Sequence, residues 1–173
     1  MELAFQKVSD EVFLATSDIV RFDQHAVAFI KEKATTNNRG RARICAHRGN
    51  EDSLHEMLIA IRSDSYIHPH RHLNKTESFH LVEGKADVVI FNESGEIIDV
   101  VSLSPDAHFY YRLNAPLYHT VLVHSPVLII HEITNGPFDA LASDFASFAP
   151  AEGESMAAEY IESLKQRLTK SMP

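Results

Sequence analysis

Residues 68–84, HPHRHLNKTESFHLVEG, hold four of the chain's eleven histidines, one central glutamate and a closing glycine. A buried imidazole costs stability unless it is hydrogen-bonded or metallated, so a fold for this chain must bring these side chains to partners or to water. In an extended strand, residues two apart point the same way, about 6.6–7 Å from one another. His70 and His72 therefore share a face, and His68 has the same parity. Four residues, Leu73 to Thr76, separate His72 from Glu77. If they form a hairpin loop, His72 and Glu77 become opposite partners on one face, and two imidazoles and a carboxylate converge from adjacent strands. His80 differs from Glu77 by three positions and points away.

A further ligand has to come from another strand. His119 follows NAPLY, where Pro116 marks a turn into a strand. A three-residue turn at His124–Pro126 sets His119 opposite His131, and a two-residue turn sets it opposite Glu132. One of these two is then expected to face the same cavity. His131 and His68 are candidates for acid, base or supporting roles around the ligands. FYYR puts Phe109 and Tyr111 on one face, and Tyr111 is a candidate cavity tyrosine. HEMLIAI places His55 beside Met57 on one face, which makes His55 a further pocket candidate. Imidazole and carboxylate donors suit Fe(II), Mn, Ni, Co, Cu or Zn, and donor type alone does not choose among them. Four protein ligands on an octahedral ion leave two positions for water, dioxygen or a bidentate substrate. A tetrahedral zinc would be closed by the same four.

The texture around these residues is that of a β-protein. From Arg41 to Thr134, runs rich in Val, Ile, Phe and Tyr alternate with turn residues. Strands are expected at 41–46, 54–62, 65–72, 77–83, 86–91, 96–102, 108–113, 118–124 and 127–134. FNESGEI and VHSPV read as hairpin connections. So many short strands predict an all-β sandwich or small barrel over 41–137. An N-terminal extension, 1–40, combines a strand at 11–16 with a helix capped by Ser17 or Asp18 and carrying Ile19, Phe22, Ala26, Phe29, Ile30 and Lys33. A C-terminal extension, 138–173, ends in a helix whose stripe is Ala157, Tyr160, Ile161, Leu164 and Leu168.

Composition narrows the function classes. The formal net charge of −8 argues against a nucleic-acid partner, which needs a basic face. No apolar run approaches the roughly 20 residues that span a bilayer. The N-terminus lacks the basic start and apolar stretch of a secretory signal. Cys45, the one cysteine, makes no internal disulfide and reads as a buried thiol. Together these features predict a cytoplasmic protein. Arg39, Arg41 and Arg43 alternate along an extended segment. They form a solvated strand face or, with Arg41 and Arg43 as candidates, an anion clamp of the kind that arginine's bidentate fork suits.

HRHLNKTESFHLVEG matches the H-x-H-x4-E-x6-G core of the first cupin motif residue for residue and so resembles the cupin superfamily. The resemblance implies a double-stranded β-helix, or jelly-roll, barrel in which His70, His72, Glu77 and His119 hold a divalent transition metal. Asp64 stands where that motif usually has glycine. In NAPLYHTVLV, Asn114 and Pro116 stand where proline and glycine are usual, and Val123 replaces asparagine. RGRARICAH, HEMLIAI, SYIHPHRHLNKTESFHLVEG, FYYRLNAPLYHTV, HEITNGPF and FASFAPAEGE look like the WbuC family of cupin-fold metalloproteins, which implies a bacterial surface-polysaccharide context and a small sugar-related ligand. The cupin resemblance also implies a homodimer formed through edge strands. Three functions compete: a metal-dependent cupin, a metal-free nucleotide-sugar epimerase or ketoisomerase using Tyr111 and a histidine, and a non-catalytic ligand-binding module.

Overall fold

The computed structural model describes residues 5–139 and 143–171; residues 1–4, 140–142 and 172–173 of the expected extensions lie outside them. Two sheets face each other. The seven-stranded sheet runs β1-β2-β3-β4-β11-β6-β9, made of Phe5–Lys7, Val12–Ala15, Arg41–Cys45, Leu54–Arg62, Val127–Asn135, Glu77–Glu83 and Tyr110–Leu113. The five-stranded sheet runs β12-β5-β10-β7-β8, made of Ser143–Phe145, His70–His72, Tyr118–Val123, Ala86–Phe91 and Ile97–Leu103. Nearly all neighbours are antiparallel; β2 and β3 run parallel.

Alternation explains the two layers of core. On β4, Met57, Ile59 and Ile61 face the barrel interior, while Leu58 and Ala60 face the other way against α1, Gln24–Thr36. Inside, Ile61, Phe79, Leu128 and Ile130 of one sheet meet Val88, Ile90, Val121 and Val123 of the other. Outside the five-stranded sheet, Val89, Phe91 and Leu122 pack against Ile161, Leu164 and Leu168 of α2, Ala157–Ser171. β7 and β10 are thus covered on both faces, which is why both are buried throughout.

Several local expectations change. Asp23, not Ser17 or Asp18, caps α1; its carboxylate accepts from the His25 and Ala26 amides at 2.9 and 3.1 Å. Ile19 and Phe22 therefore precede the helix, and Ile19 is exposed. Only His70–His72 of the expected 65–72 strand pairs as β5, because Pro69 has no amide to donate to a ladder. The two turns flanking the site are not hairpins. β5 and β6 belong to opposite sheets, and so do β10 and β11, so VHSPV crosses between layers. FNESGEI does close a hairpin, β7–β8, with Gly95 at φ +82°. The extensions contribute strands to both sheets, β1 and β2 to one and β12 to the other.

Gly84, the closing glycine of the histidine segment, turns the chain from one sheet to the other. Its φ is +98°, and a Cβ there would sit 2.7 Å from the Val127 carbonyl oxygen and 2.5 Å from Ser125 Oγ. Gly84→Ala should therefore cost on the order of 1–3 kcal/mol, read as a lower urea midpoint with an unchanged m-value. Leu164, 1% exposed in the α2 contact, should lose about 2–5 kcal/mol as Leu164→Ala in the same measurement.

Candidate metal centre

β5 and β10 lie side by side with His70 directly opposite His119. His72, two residues along β5, points the same way, so three imidazoles cluster on the cavity face of the five-stranded sheet. Their ring centroids are 4.7 Å (His70–His119), 4.9 Å (His70–His72) and 5.9 Å (His72–His119) apart. One nitrogen from each lies within 4.8 Å of the others, a spacing that can hold a metal ion. Glu77 opens β6 and enters from the opposite sheet. It meets His72 across the barrel interior, not across a hairpin as expected.

Each histidine has one nitrogen occupied. Nδ1 of His70 lies 2.9 Å from the His68 carbonyl, Nδ1 of His119 lies 3.0 Å from the Leu117 carbonyl, and Nδ1 of His72 lies 3.3 Å from Ser143 Oγ. With Nδ1 protonated on each, the three Nε2 atoms turn to the cavity, and their lone pairs become available to an ion once any Nε2 proton is lost. Glu77 Oε1 sits 2.9 Å from His119 Nε2, and Oε2 sits 3.6 Å from His72 Nε2. Neither Glu77 Oε1 nor His119 Nε2, both buried, makes an aligned hydrogen bond. Close approach without alignment suits atoms directed at a common centre, and three neutral nitrogens with one carboxylate are a donor set that fits a divalent ion.

The electrostatics divide the histidines in the metal-free protein. Burial, with His119 nearby, pushes His70 down to about 4, which keeps it neutral and available as a ligand. Burial also opposes ionisation of Glu77, but the neighbouring histidines, His119 first, hold its carboxyl well below the usual range. Burial likewise presses His119 down, and the Glu77 charge outweighs it, leaving His119 raised.

The other expected residues separate. Tyr111 is the register partner of Phe79 on the cavity face, 5% exposed, with its hydroxyl unpartnered. Phe109 precedes β9 and is exposed, so the two do not share a buried face. His131 is directly opposite His80 on the outer face of the seven-stranded sheet, 3.9 Å from Glu56, and does not line the cavity. Glu132, next in the strand and partner of Phe79 and Met57, takes the cavity face instead. Burial and the adjacent Glu77 charge push its carboxyl up to about 8. His68 contributes its backbone carbonyl to His70, while its ring turns to the Ala146 carbonyl at 3.0 Å and stacks on Phe145. His55 is buried against the His47 ring at 4.0 Å, where a Cβ on Gly136 would lie 2.7 Å from His55 Nε2. Arg41 is no free clamp: Glu152 accepts from it and from Arg39, and Arg41 also reaches the Tyr66 carbonyl. Arg43 stays on the cavity-face parity beside buried Cys45, its Nε without a partner. Ser143 escaped the sequence reading, because a three-residue strand in a loop-like segment carries no periodic signal.

Residues 22–103 match the model of a domain of unknown function (DUF6016). No curated protein matches the chain. Among solved structures, protein SO0799 from Shewanella oneidensis is 10% identical over 63% of this chain and 75% of its own, with a TM-score of 0.53. Oxalate oxidase in complex with the substrate analogue glycolate is 13% identical over 80% and 77%, with a TM-score of 0.50. The capsular polysaccharide assembling protein CapF from Staphylococcus aureus is 18% identical over 64% of this chain, with a TM-score of 0.52, and this chain spans 32% of CapF's length. The fold is a cupin barrel. In this cupin barrel the three histidines sit on one wall and the two glutamates on the other. Among the described residues, no helix is long and apolar enough to cross a membrane.

Glu132 gives a pH signature in chelator-treated protein. A carboxyl whose folded pKa is raised contributes stability below its ordinary value of 4.5, and that contribution is lost as pH rises toward about 8. Glu132→Gln should flatten this decline and raise the thermal midpoint at pH 8 more than at pH 5. Scanning calorimetry across that window checks it.

Proposed function

We propose that this protein is a mononuclear divalent-metal cupin of the WbuC type, with His70, His72, His119 and Glu77 as the ligands. The observation that carries the reading is the common orientation of the three histidines, each with Nδ1 committed to a carbonyl or hydroxyl and Nε2 turned to the cavity beside an ionised Glu77. A bound ion there supplies Lewis-acid or dioxygen chemistry. Fe, Mn, Ni, Co, Cu and Zn all accept this donor set. Around it, the chain's own groups do defined work: the His68 and Leu117 carbonyls and Ser143 orient the imidazoles, and Glu132 stands ready to hold a proton beside Glu77. Tyr111, with its hydroxyl unpartnered on the cavity face, is the tyrosine placed to meet a ligand there.

The substrate class we infer is a small polar metabolite, sugar-derived, in bacterial surface-polysaccharide metabolism. Its support is the WbuC resemblance together with the CapF likeness in fold. The barrel over 41–137 carries the site, between extensions 1–40 and 138–173. A cytoplasmic, homodimeric setting completes the reading, supported by a lone buried cysteine and by the cupin analogy.

Elemental analysis of the purified protein should find about one transition-metal ion per chain, and His70→Ala should lose it while still folding cooperatively. Metal-free protein with unchanged uptake in His70→Ala sinks the proposal. Retained turnover of a nucleotide sugar in excess chelator would favour the epimerase alternative. Because a protonated imidazole cannot ligate, affinity should fall as pH drops through the raised pKa of His119, beginning above its ordinary 6.5. Metal competition titrations between pH 5 and 8 test this.

A further inference from the structure

A cleft of about 430 Å³ opens beside the histidine cluster and shares His72 with it. Its described lining contains two cations, Lys75 and Arg112, and no carboxylate, in a chain whose net charge is −8. The remaining polar lining is neutral: Asn74, Thr76, Asn114 and Asn135. The loop carrying Lys75 is held in shape, because the Thr76 amide donates to Asn135 Oδ1 at 2.8 Å and Asn135 Nδ2 donates to the Asn74 carbonyl at 3.2 Å. Arg112 Nε donates to Asn114 Oδ1 at 2.8 Å, which fixes one edge of the guanidinium. Lys75 Nζ lies 5.5 Å from the centre of the Phe138 ring. The open cleft beneath α2 differs, since its lysines, Lys85 and Lys165, share it with Asp87.

Thr134 is the register partner of Glu77, and Tyr111 lies one rung further along the same cavity face. Both hydroxyls are buried and without a hydrogen-bond partner, as is Arg43 Nε. These groups line the barrel interior behind the cleft and not the cleft itself.

We propose that this cleft binds the oxyanion end of a small organic acid, carboxylate or phosphate, between Lys75 and Arg112. The ligand's inner end then lies beside His72, the one residue the cleft shares with the histidine cluster. Arginine's fork and the lysine point charge both favour oxyanions over neutral groups. The inference names the substrate class of the site proposed above, and it rests on that reading only for what lies at the inner end of the ligand.

Calorimetric titration of inorganic phosphate, succinate and neutral succinamide tests it, on metal-loaded and chelator-treated protein, for wild type and for Lys75→Gln/Arg112→Gln. Wild type should bind phosphate or succinate and reject succinamide in both forms, and the two anions separate a phosphate ligand from a carboxylate one. The double variant should weaken that binding by about tenfold or more, as expected for losing two charge-assisted contacts, while its metal content stays at the wild-type level. Equal binding of succinamide, no binding of either anion, or undiminished affinity in the double variant overturns the proposal. Charge-dependent binding by a protein that takes up no metal would sink the metal reading and leave this one standing.

Discussion

An ionised carboxylate sealed inside a β-barrel has to be answered by positive charge or by donors aimed at it. Glu77 meets that constraint with His119 at 2.9 Å and His72 at 3.6 Å, contacts that are available because the two sheets face each other. Without the histidine wall, Glu77 would be an uncompensated buried charge, which costs several kcal/mol. Without Glu77, three imidazoles would crowd one another in an apolar interior. The polar centre is therefore mutually dependent, and the apolar layers around it hold the two walls in position.

Those layers do so from outside as well as within. α1 covers the seven-stranded sheet through Ala26, Val27 and Ile30, and α2 covers the five-stranded sheet through Ile161, Leu164 and Leu168. β12 closes the edge beside β5 and brings Ser143 within reach of His72. A C-terminal strand and helix thus press on the very sheet that carries the histidines, so the tail contributes to the site without supplying a side chain that lines the cavity. The Glu152 pairings with Arg39 and Arg41 tie the start of that tail to β3. Being partly exposed, they act as a latch more than as a source of stability.

Two glutamates share the wall opposite the histidines and have opposite environments. Glu77 is held ionised by the imidazoles, and Glu132 is driven toward its neutral form by burial and by Glu77 itself. Adjacent carboxyls with separated protonation states can divide the work of holding charge and holding a proton.

Much was legible in the chain before any fold. Parity put His70 and His72 on one face of their strand and turned His80 away from Glu77 on the next, because strand alternation is local geometry. Strand positions such as 54–62 and 77–83 followed from β-branched and aromatic runs bounded by turn residues. The motif spacing pointed to a cupin barrel, and the periodic stripe announced α2. Which strands were neighbours was not legible. Turn length cannot tell a hairpin from a crossover between layers, so His72 with Glu77 and His119 with His131 or Glu132 looked like cross-strand pairs. Only the tertiary arrangement put β5 and β6, and β10 and β11, in opposite sheets. It turned Glu132 inward and His131 outward and occupied Arg41 with Glu152. The reason is physical: alternation along a strand is set by the covalent backbone, whereas the partner a side chain faces is set by which sheet buries the most apolar surface.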